Sequence, residues 1–204
     1  QDFPIAAYGP SNLGQMKSIY RRGLGHRYGR AMQAISGVHY NFSMPMSFWE
    51  PFREQQECAD ALESFVSERY MGLVRNYRRL AWLFIYLFGA SPALCKSFCP
   101  GGHDDLEELE PSTWYGPFST SLRMSDIGYR NKSLARLQIS ANALADYTTE
   151  LAAAITTSSR DYEKIGIRIN GEYRQLNTNI LQIENEYYSS IRPKPVPGGD
   201  SPPT

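Results

Sequence analysis

Gln33-Ala34-Ile35-Ser36-Gly37-Val38-His39-Tyr40-Asn41-Phe42-Ser43 is the stretch from which the organisation of this chain is read. With a side-chain period of two, it separates into an apolar row and a mostly polar row. Ala34, Val38, Tyr40 and Phe42 share one face with the small Ser36. Gln33, His39, Asn41 and Ser43 share the other, with Ile35 and Gly37 between them. Its β-branched and aromatic content favours a strand, and Pro45 follows its end. Such a strand suits the wall of a cleft: His39 is held by backbone, and Gly37, two residues earlier, leaves room for a ligand. The same pattern also describes a half-buried edge strand with an ordinary exposed face.

Two more stretches alternate in this way. Residues 120–126 place Ser121, Arg123 and Ser125 together on a polar side. Residues 180–188 place Gln182, Glu184, Glu186 and Tyr188 opposite Leu181, Ile183, Asn185 and Tyr187. Asn170-Gly171, set between Ile167-Arg168-Ile169 and Glu172-Tyr173-Arg174, marks a two-residue hairpin. Helical patterns lie between these segments. Ser11 and Asn12 are capping residues for a first helix that carries Leu13, Tyr20 and Leu24 on one face, flanked by Arg21 and Arg22. Gly23, Gly25 and Gly29 fray its end. A long helix is expected over 58–87 and an Ala/Leu-rich one over 134–156. Residues 47–56 and 100–117 read as connections, the second one acidic. The expected class is α+β, an open and mainly antiparallel sheet flanked by helices, with a ligand on one surface.

Composition narrows the function. Lys plus Arg and Asp plus Glu number 21 each, so the formal charge is zero and neither nucleic acid nor an anionic membrane is expected as partner. The apolar run 80–88 is too short to span a bilayer and reads as a buried helix. Three cysteines make no disulfide framework, which fits a reducing, cytoplasmic setting. Cys95, Cys99 and His103 lack a fourth ligand nearby, so zinc is not expected there. There is no phosphate-binding glycine loop, dinucleotide fingerprint or His-Glu-x-x-His. What remains is a cleft with a histidine, several arginines and some of the 14 tyrosines. Arginine grips carboxylates through a paired fork, so the set suits an amino acid or another small carboxylate. His39 could ligate a metal, act as a base or serve as a hydrogen-bonded structural residue; the residues alone leave these open.

Several long words occur in order along the chain. They are Tyr8-Gly9-x-Ser11-Asn12, Tyr20-Arg21-x-Gly23-Leu24-x-x-Arg27-Tyr28-Gly29 and Ile35 through Ser43. Tyr86-Leu87-Phe88-Gly89-Ala90-Ser91-Pro92-Ala93 and Thr120 through Tyr129 follow, then Leu181-Gln182-Ile183-Glu184-Asn185-Glu186-x-Tyr188 with Ile191-Arg192-Pro193-Lys194. Together they resemble the glutamate–cysteine ligases of proteobacterial type, over nearly the whole chain. The resemblance implies a glutamine-synthetase-like fold. It also implies an ATP-dependent ligase that phosphorylates the L-glutamate side-chain carboxylate, the L-cysteine amine then displacing phosphate. Mg2+, or Mn2+, would bridge the phosphates. By resemblance His39 is a metal ligand, and Tyr20, Leu24, Gln33, Tyr129 and Tyr188 line a cysteine pocket. Arg123 would hold a substrate carboxylate, with Arg21 at the substrate and Asn41 at the nucleotide as weaker correspondences. No residue is assigned a catalytic role.

The departures matter too. The family's other metal-binding carboxylates have no counterpart here, and 52–64 and 99–117 match its pattern poorly. The chain opens at Gln1 without a basic, apolar leader and closes on a Pro/Gly-rich run, so both ends read as cuts. The expectation is an internal fragment, inactive alone: 1–192 as the central part of one ligase catalytic domain, 193–204 as a truncated loop. A related carboxylate–amine ligase and a noncatalytic amino-acid-binding module are the rival readings.

Overall fold

A computed structural model describes residues 3–35, 37–89, 91–122, 125, 127 and 139–194. The first helix, α1 (Asn12–Tyr28), starts where the cap residues place it: Ser11 Oγ accepts the Gly14 amide at 3.1 Å. It stops at Gly29, whose φ of 91° suits glycine and whose amide closes on the Gly25 carbonyl. Ser11→Ala is expected to cost about 0.5–2 kcal/mol, read as a lowered midpoint of chemical unfolding. Residues Ala31–Ala34 form a 3-10 turn beneath α1.

The stretch from Ile35 to Pro45 is not a strand. Its described residues are extended chain without a ladder, and Val38 is 100% and Tyr40 85% exposed. Alternation fits a residue to a pleated surface, but a strand also needs a neighbour for its amides and carbonyls. No described segment lies alongside to supply one.

Residues 47–56, expected as a connection, lie mostly in α2 (Met46–Gln55). Phe48 and Phe52, one turn apart, stack at 5.4 Å. Trp49 and Phe52 meet Phe65 of α3 (Leu62–Phe88) at centroid distances of 6.5 and 5.7 Å. Phe65 is fully buried. The long helix runs without a break, but its apolar second half is uncovered: Trp82 is 64% and Phe88 73% exposed. The expectation of a buried helix over 80–88 therefore does not hold among the described residues. Arg75 and Arg78 clamp the backbone of 139–142. Arg75 Nη1 donates to the carbonyls of Ala141 and Asn142, and Arg78 Nη1 to that of Ile139.

Apart from the Asn170-Gly171 hairpin, antiparallel pairing comes from other segments than those expected. β1 (Ala93–Cys95), β2 (Glu107–Glu110) and β3 (Thr113–Tyr115) form a sheet of order β1-β3-β2, with a bulge between Glu108 and Glu110. The acidic loop thus becomes two strands. Lys96 sits 4.3 Å over the Trp114 ring and 2.8 Å from Glu108, offsetting one of its charges. Of 120–126, Ser121 bridges Ser91 and Leu122 is buried; Arg123, Met124 and Asp126 lie outside the described residues.

Helix α4 (Leu144–Thr156) begins later than expected, because the amides of Ser140 and Asn142 bond side chains, Glu150 and Ser140, in place of helical carbonyls. Residues 134–138 lie outside the described set. α4 carries the core. One side packs Tyr147 with Met71, Val74, Ile139 and Ala141, and the other packs Ala154 with Ile180 and Leu181. A short α5 (Arg160–Glu163) leads to the hairpin of β4 (Arg168–Ile169) and β5 (Glu172–Tyr173). Its turn residues Asn170 and Gly171 both have positive φ, as the sequence requires.

The last expected strand, 180–188, is irregular chain ending in a 3-10 turn at Glu184–Glu186. Its amides are satisfied elsewhere. Those of Ile180 and Leu181 bond the end of α4, and that of Gln182 bonds the Glu186 carboxylate at 2.6 Å. No ladder is needed. The α+β class with antiparallel pairing stands; apart from the β4–β5 hairpin, the strands lie elsewhere along the chain.

Candidate functional site

Tyr20 and Leu24 project from the same side of α1, four residues apart, as the helical spacing requires. Leu24 is buried and Tyr20 half-buried. Gln33, in the following 3-10 turn, donates from Nε2 to the Arg21 carbonyl at 3.0 Å, which fixes its side chain against α1. Tyr20, Arg21, Leu24 and Gln33 therefore belong to one corner of the molecule.

The far wall of that corner is the 175–192 segment, and Gly23 is the reason it can come so close. A Cβ at Gly23 would land on the side-chain amide of Gln182. That amide is already engaged: Gln182 Oε1 accepts the Leu176 amide at 3.0 Å, and Nε2 reaches the Tyr20 carbonyl at 3.4 Å. Beneath it lies a buried ion pair. Arg27 Nη1 is 3.1 Å from Glu186 Oε1, both side chains having no exposure. Arg27 Nε donates to Gln175 Oε1 at 2.9 Å and Nη2 to the Asn177 carbonyl at 2.8 Å. Its guanidinium also stacks 4.0 Å from the Tyr162 ring centre. Tyr28 donates to the same Glu186 oxygen at 2.9 Å. Each charge is thus met by a counter-charge and by hydrogen bonds, the condition for ions to be tolerated away from water.

The electrostatics of the corner follow. Burial, and then the Glu186 carboxylate, push the Tyr20 hydroxyl well above its ordinary pKa of 10.0; Arg21, Arg27 and Arg192 pull partly back. Tyr20 is therefore a neutral phenol through the physiological range, able to give and accept a hydrogen bond. A raised folded-state value means that the native chain holds this proton more tightly than the unfolded chain. The contribution is complete below pH 10.0 and is lost as pH rises above it. Tyr20→Phe is expected to remove part of the alkaline destabilisation above pH 10 and to leave stability near pH 7 less affected, checked by unfolding midpoints at both pH values.

Tyr188 is half-buried in the chain that follows the 3-10 turn, near this wall. Arg123 and Tyr129 lie outside the described residues. His39 and Asn41 are exposed on the extended 37–45 stretch, whose described anchor is the Met44 amide donating to Tyr70 Oη at 2.8 Å. Among the described residues neither makes a hydrogen bond or ion pair to the Tyr20 corner. No group of three His, Cys, Asp or Glu among the described residues is placed to hold a metal ion. His39 is thus at most one ligand, and these residues do not by themselves fit a divalent cation. Cys99 Sγ bonds the Gly102 carbonyl, and the thiol of Cys95 pairs with Ser97.

The residues that sequence reasoning missed are Arg27, Gln175 and the buried role of Glu186. Arg27 and Glu186 are 159 positions apart, so no local pattern links them. Their one trace in the sequence is that both fall inside the ordered words.

An α+β chain that gathers Tyr20, Arg21, Leu24 and Gln33 at one helix is what the geometry defines; comparison with known proteins narrows it. A family model described as glutamate-cysteine ligase matches residues 1–203. The glutamate–cysteine ligase of Alcanivorax borkumensis is 52% identical over all of this chain, and that of Shewanella oneidensis 53% identical over 96% of it. The solved glutamate–cysteine ligase of Francisella tularensis, in complex with AMP, superposes with a TM-score of 0.84 at 40% identity over 95% of this chain. The chain spans 40% and 38% of those two relatives' lengths and 37% of the solved one. This chain belongs to the glutamate–cysteine ligase family.

Proposed function

We propose that this chain is the central part of a ligase catalytic domain that joins the γ-carboxylate of L-glutamate to the amine of L-cysteine at the expense of ATP. The observation that carries the proposal is the convergence of Tyr20, Arg21, Leu24 and Gln33 at one corner of a chain from this family. In this reading Leu24 and the Tyr20 ring supply an apolar wall for the cysteine side chain. The neutral Tyr20 hydroxyl and the Gln33 amide supply its polar contacts. Arg21 and Arg123 grip carboxylates, while Tyr129 and Tyr188 close the pocket. Burial of Leu24 and the Gln182 clamp hold these groups in place, which serves the alignment of an amine with an acyl phosphate.

His39 is proposed as one ligand of a Mg2+ or Mn2+ centre completed by residues outside the described set, with Asn41 toward the nucleotide. No step is derived through that ion, since the described residues do not form its site. ATP is the proposed co-substrate, consistent with the AMP complex of the Francisella relative. The uncovered apolar residues of α3 and of 37–45 support the reading of this chain as one piece of a larger domain. We place the ligase in the cytoplasm, where Cys58, Cys95 and Cys99 stay free thiols. No described helix is long and apolar enough to cross a membrane.

The test is ADP release by a protein of full family length that carries this segment, with Mg2+ and with each amino acid omitted in turn. Turnover that requires both amino acids supports the ligase. Equal turnover with another amine moves the assignment to a related ligase, and cysteine binding without turnover to a binding module. Leu24→Ala is expected to raise KM for cysteine roughly tenfold, the scale of a lost side-chain contact, with KM for ATP unchanged.

A further inference from the structure

Gln182 places a buried polar amide where an apolar side chain would fill the same gap. Its side chain lies against Gly23, where a Cβ would land on Oε1, and the residue is 4% exposed. Every polar group it has is engaged. Oε1 accepts the Leu176 amide at 3.0 Å, and Nε2 donates to the Tyr20 carbonyl at 3.4 Å. In the main chain, its amide donates to Glu186 Oε2 at 2.6 Å and its carbonyl accepts from Asn177 Nδ2 at 3.0 Å. The preceding residue is pinned to α4, the Leu181 amide donating to the Ala154 carbonyl at 3.0 Å.

Glu186 joins this residue to the far end of α1. Its Oε2 takes the Gln182 amide, while its Oε1 takes Arg27 and Tyr28. The helix is therefore held against the 175–192 segment at two levels, by Glu186 at residues 27 and 28 and by the Gln182 side chain at Gly23 and Tyr20. Sliding α1 along that wall, or turning it about its axis, breaks directional bonds at both levels. Apolar packing is non-directional and would join the same surfaces without fixing their register. What this register places is Tyr20 and Leu24, on the side of α1 that carries Gly23.

We infer that Gln182 is a positioning residue for cysteine binding: through the Tyr20 backbone it sets where the Tyr20 hydroxyl meets the substrate. The inference rests on the ligase reading, in which Tyr20 lines the cysteine subsite, and adds a residue whose role is exercised through Tyr20. Such a role matters because a displacement of about 1 Å at a reacting centre costs on the order of a hundredfold in rate.

The test is steady-state kinetics of the full-length ligase carrying Gln182→Met, which keeps the side-chain length and removes both amide contacts. KM for cysteine is expected to rise roughly tenfold, with KM for ATP and for glutamate unchanged. A side chain that served the fold alone would change the amount of active enzyme, scaling every turnover alike and moving no KM. Because Gln182 acts through Tyr20, adding Gln182→Met to Tyr20→Phe should leave the cysteine KM close to that of Tyr20→Phe alone. Gly23→Ala displaces the amide while alanine favours the helix. It should reproduce the cysteine effect, and it carries the test if the Met variant folds poorly. The same KM pattern for a different amine would support the role of Gln182 and correct the substrate. ADP release that needs no amine would overturn the ligase reading and this role with it. In an amine-dependent enzyme, an unchanged amine KM in both variants, or full multiplication of the Tyr20→Phe and Gln182→Met effects, would overturn the role of Gln182 alone.

Discussion

Glu186→Ala is expected to destabilise the fold by about 3–5 kcal/mol, the scale for leaving a buried partner charge uncompensated. The Arg27 guanidinium would keep its contacts to Gln175 and Asn177 but lose its counter-charge, with no exposure to water in exchange. Two other groups lose their acceptor at once, the Tyr28 hydroxyl and the Gln182 amide. Glu186→Gln keeps the shape and one acceptor oxygen but loses the charge and turns an amide NH2 toward a donor, so its loss should be smaller than that of the alanine variant. The double replacement Arg27→Met with Glu186→Leu should recover much of the difference, because an apolar pair strands no charge. Urea midpoints of the four proteins check this. Equal losses for the alanine variant and the double variant would show that the pair does not act as a unit.

The second large effect is on turnover. His39→Ala in a full-length ligase is expected to lower ADP release by roughly a hundredfold or more, the upper range for disturbing a metal site, without lowering the unfolding midpoint. Stability should hold because His39 is exposed on extended chain. Raising Mg2+ or Mn2+ should restore part of the activity if the histidine is a ligand. Loss of activity that no metal concentration relieves would assign His39 another role.

The parts of the fold legible in the sequence are those fixed within a few residues. Ser11 and Gly29 mark the ends of α1, and Asn170-Gly171 specifies its own turn, because caps and tight turns are settled by local sterics and local hydrogen bonds. The stretches 33–43 and 180–188 alternate as strands do, yet neither pairs. In the first, no described neighbour offers a ladder. In the second, helix-end carbonyls and Glu186 meet the amides instead. Burial along one helix depends on what covers it, which the pattern of that helix does not show: α2 encloses Phe65, while Trp82 on the same helix is exposed among the described residues.

The candidate site divides the same way. Tyr20 and Leu24 could be paired from helical spacing, and Gln33 follows in the next turn. The clamp that supports them could not, since Gln182 reaches Tyr20 across 162 positions. Gly23 looked like a fraying residue within α1. It is instead the gap into which the Gln182 side chain fits.

The most direct measurement is oxygen transfer in the full-length ligase, with glutamate labelled with 18O in its γ-carboxylate and with cysteine and ATP supplied. If that carboxylate is phosphorylated and the amine then displaces phosphate, the carboxylate oxygen departs with it. The account predicts one labelled oxygen in the inorganic phosphate for each peptide bond formed. Unlabelled phosphate accompanying the γ-glutamyl product would contradict it.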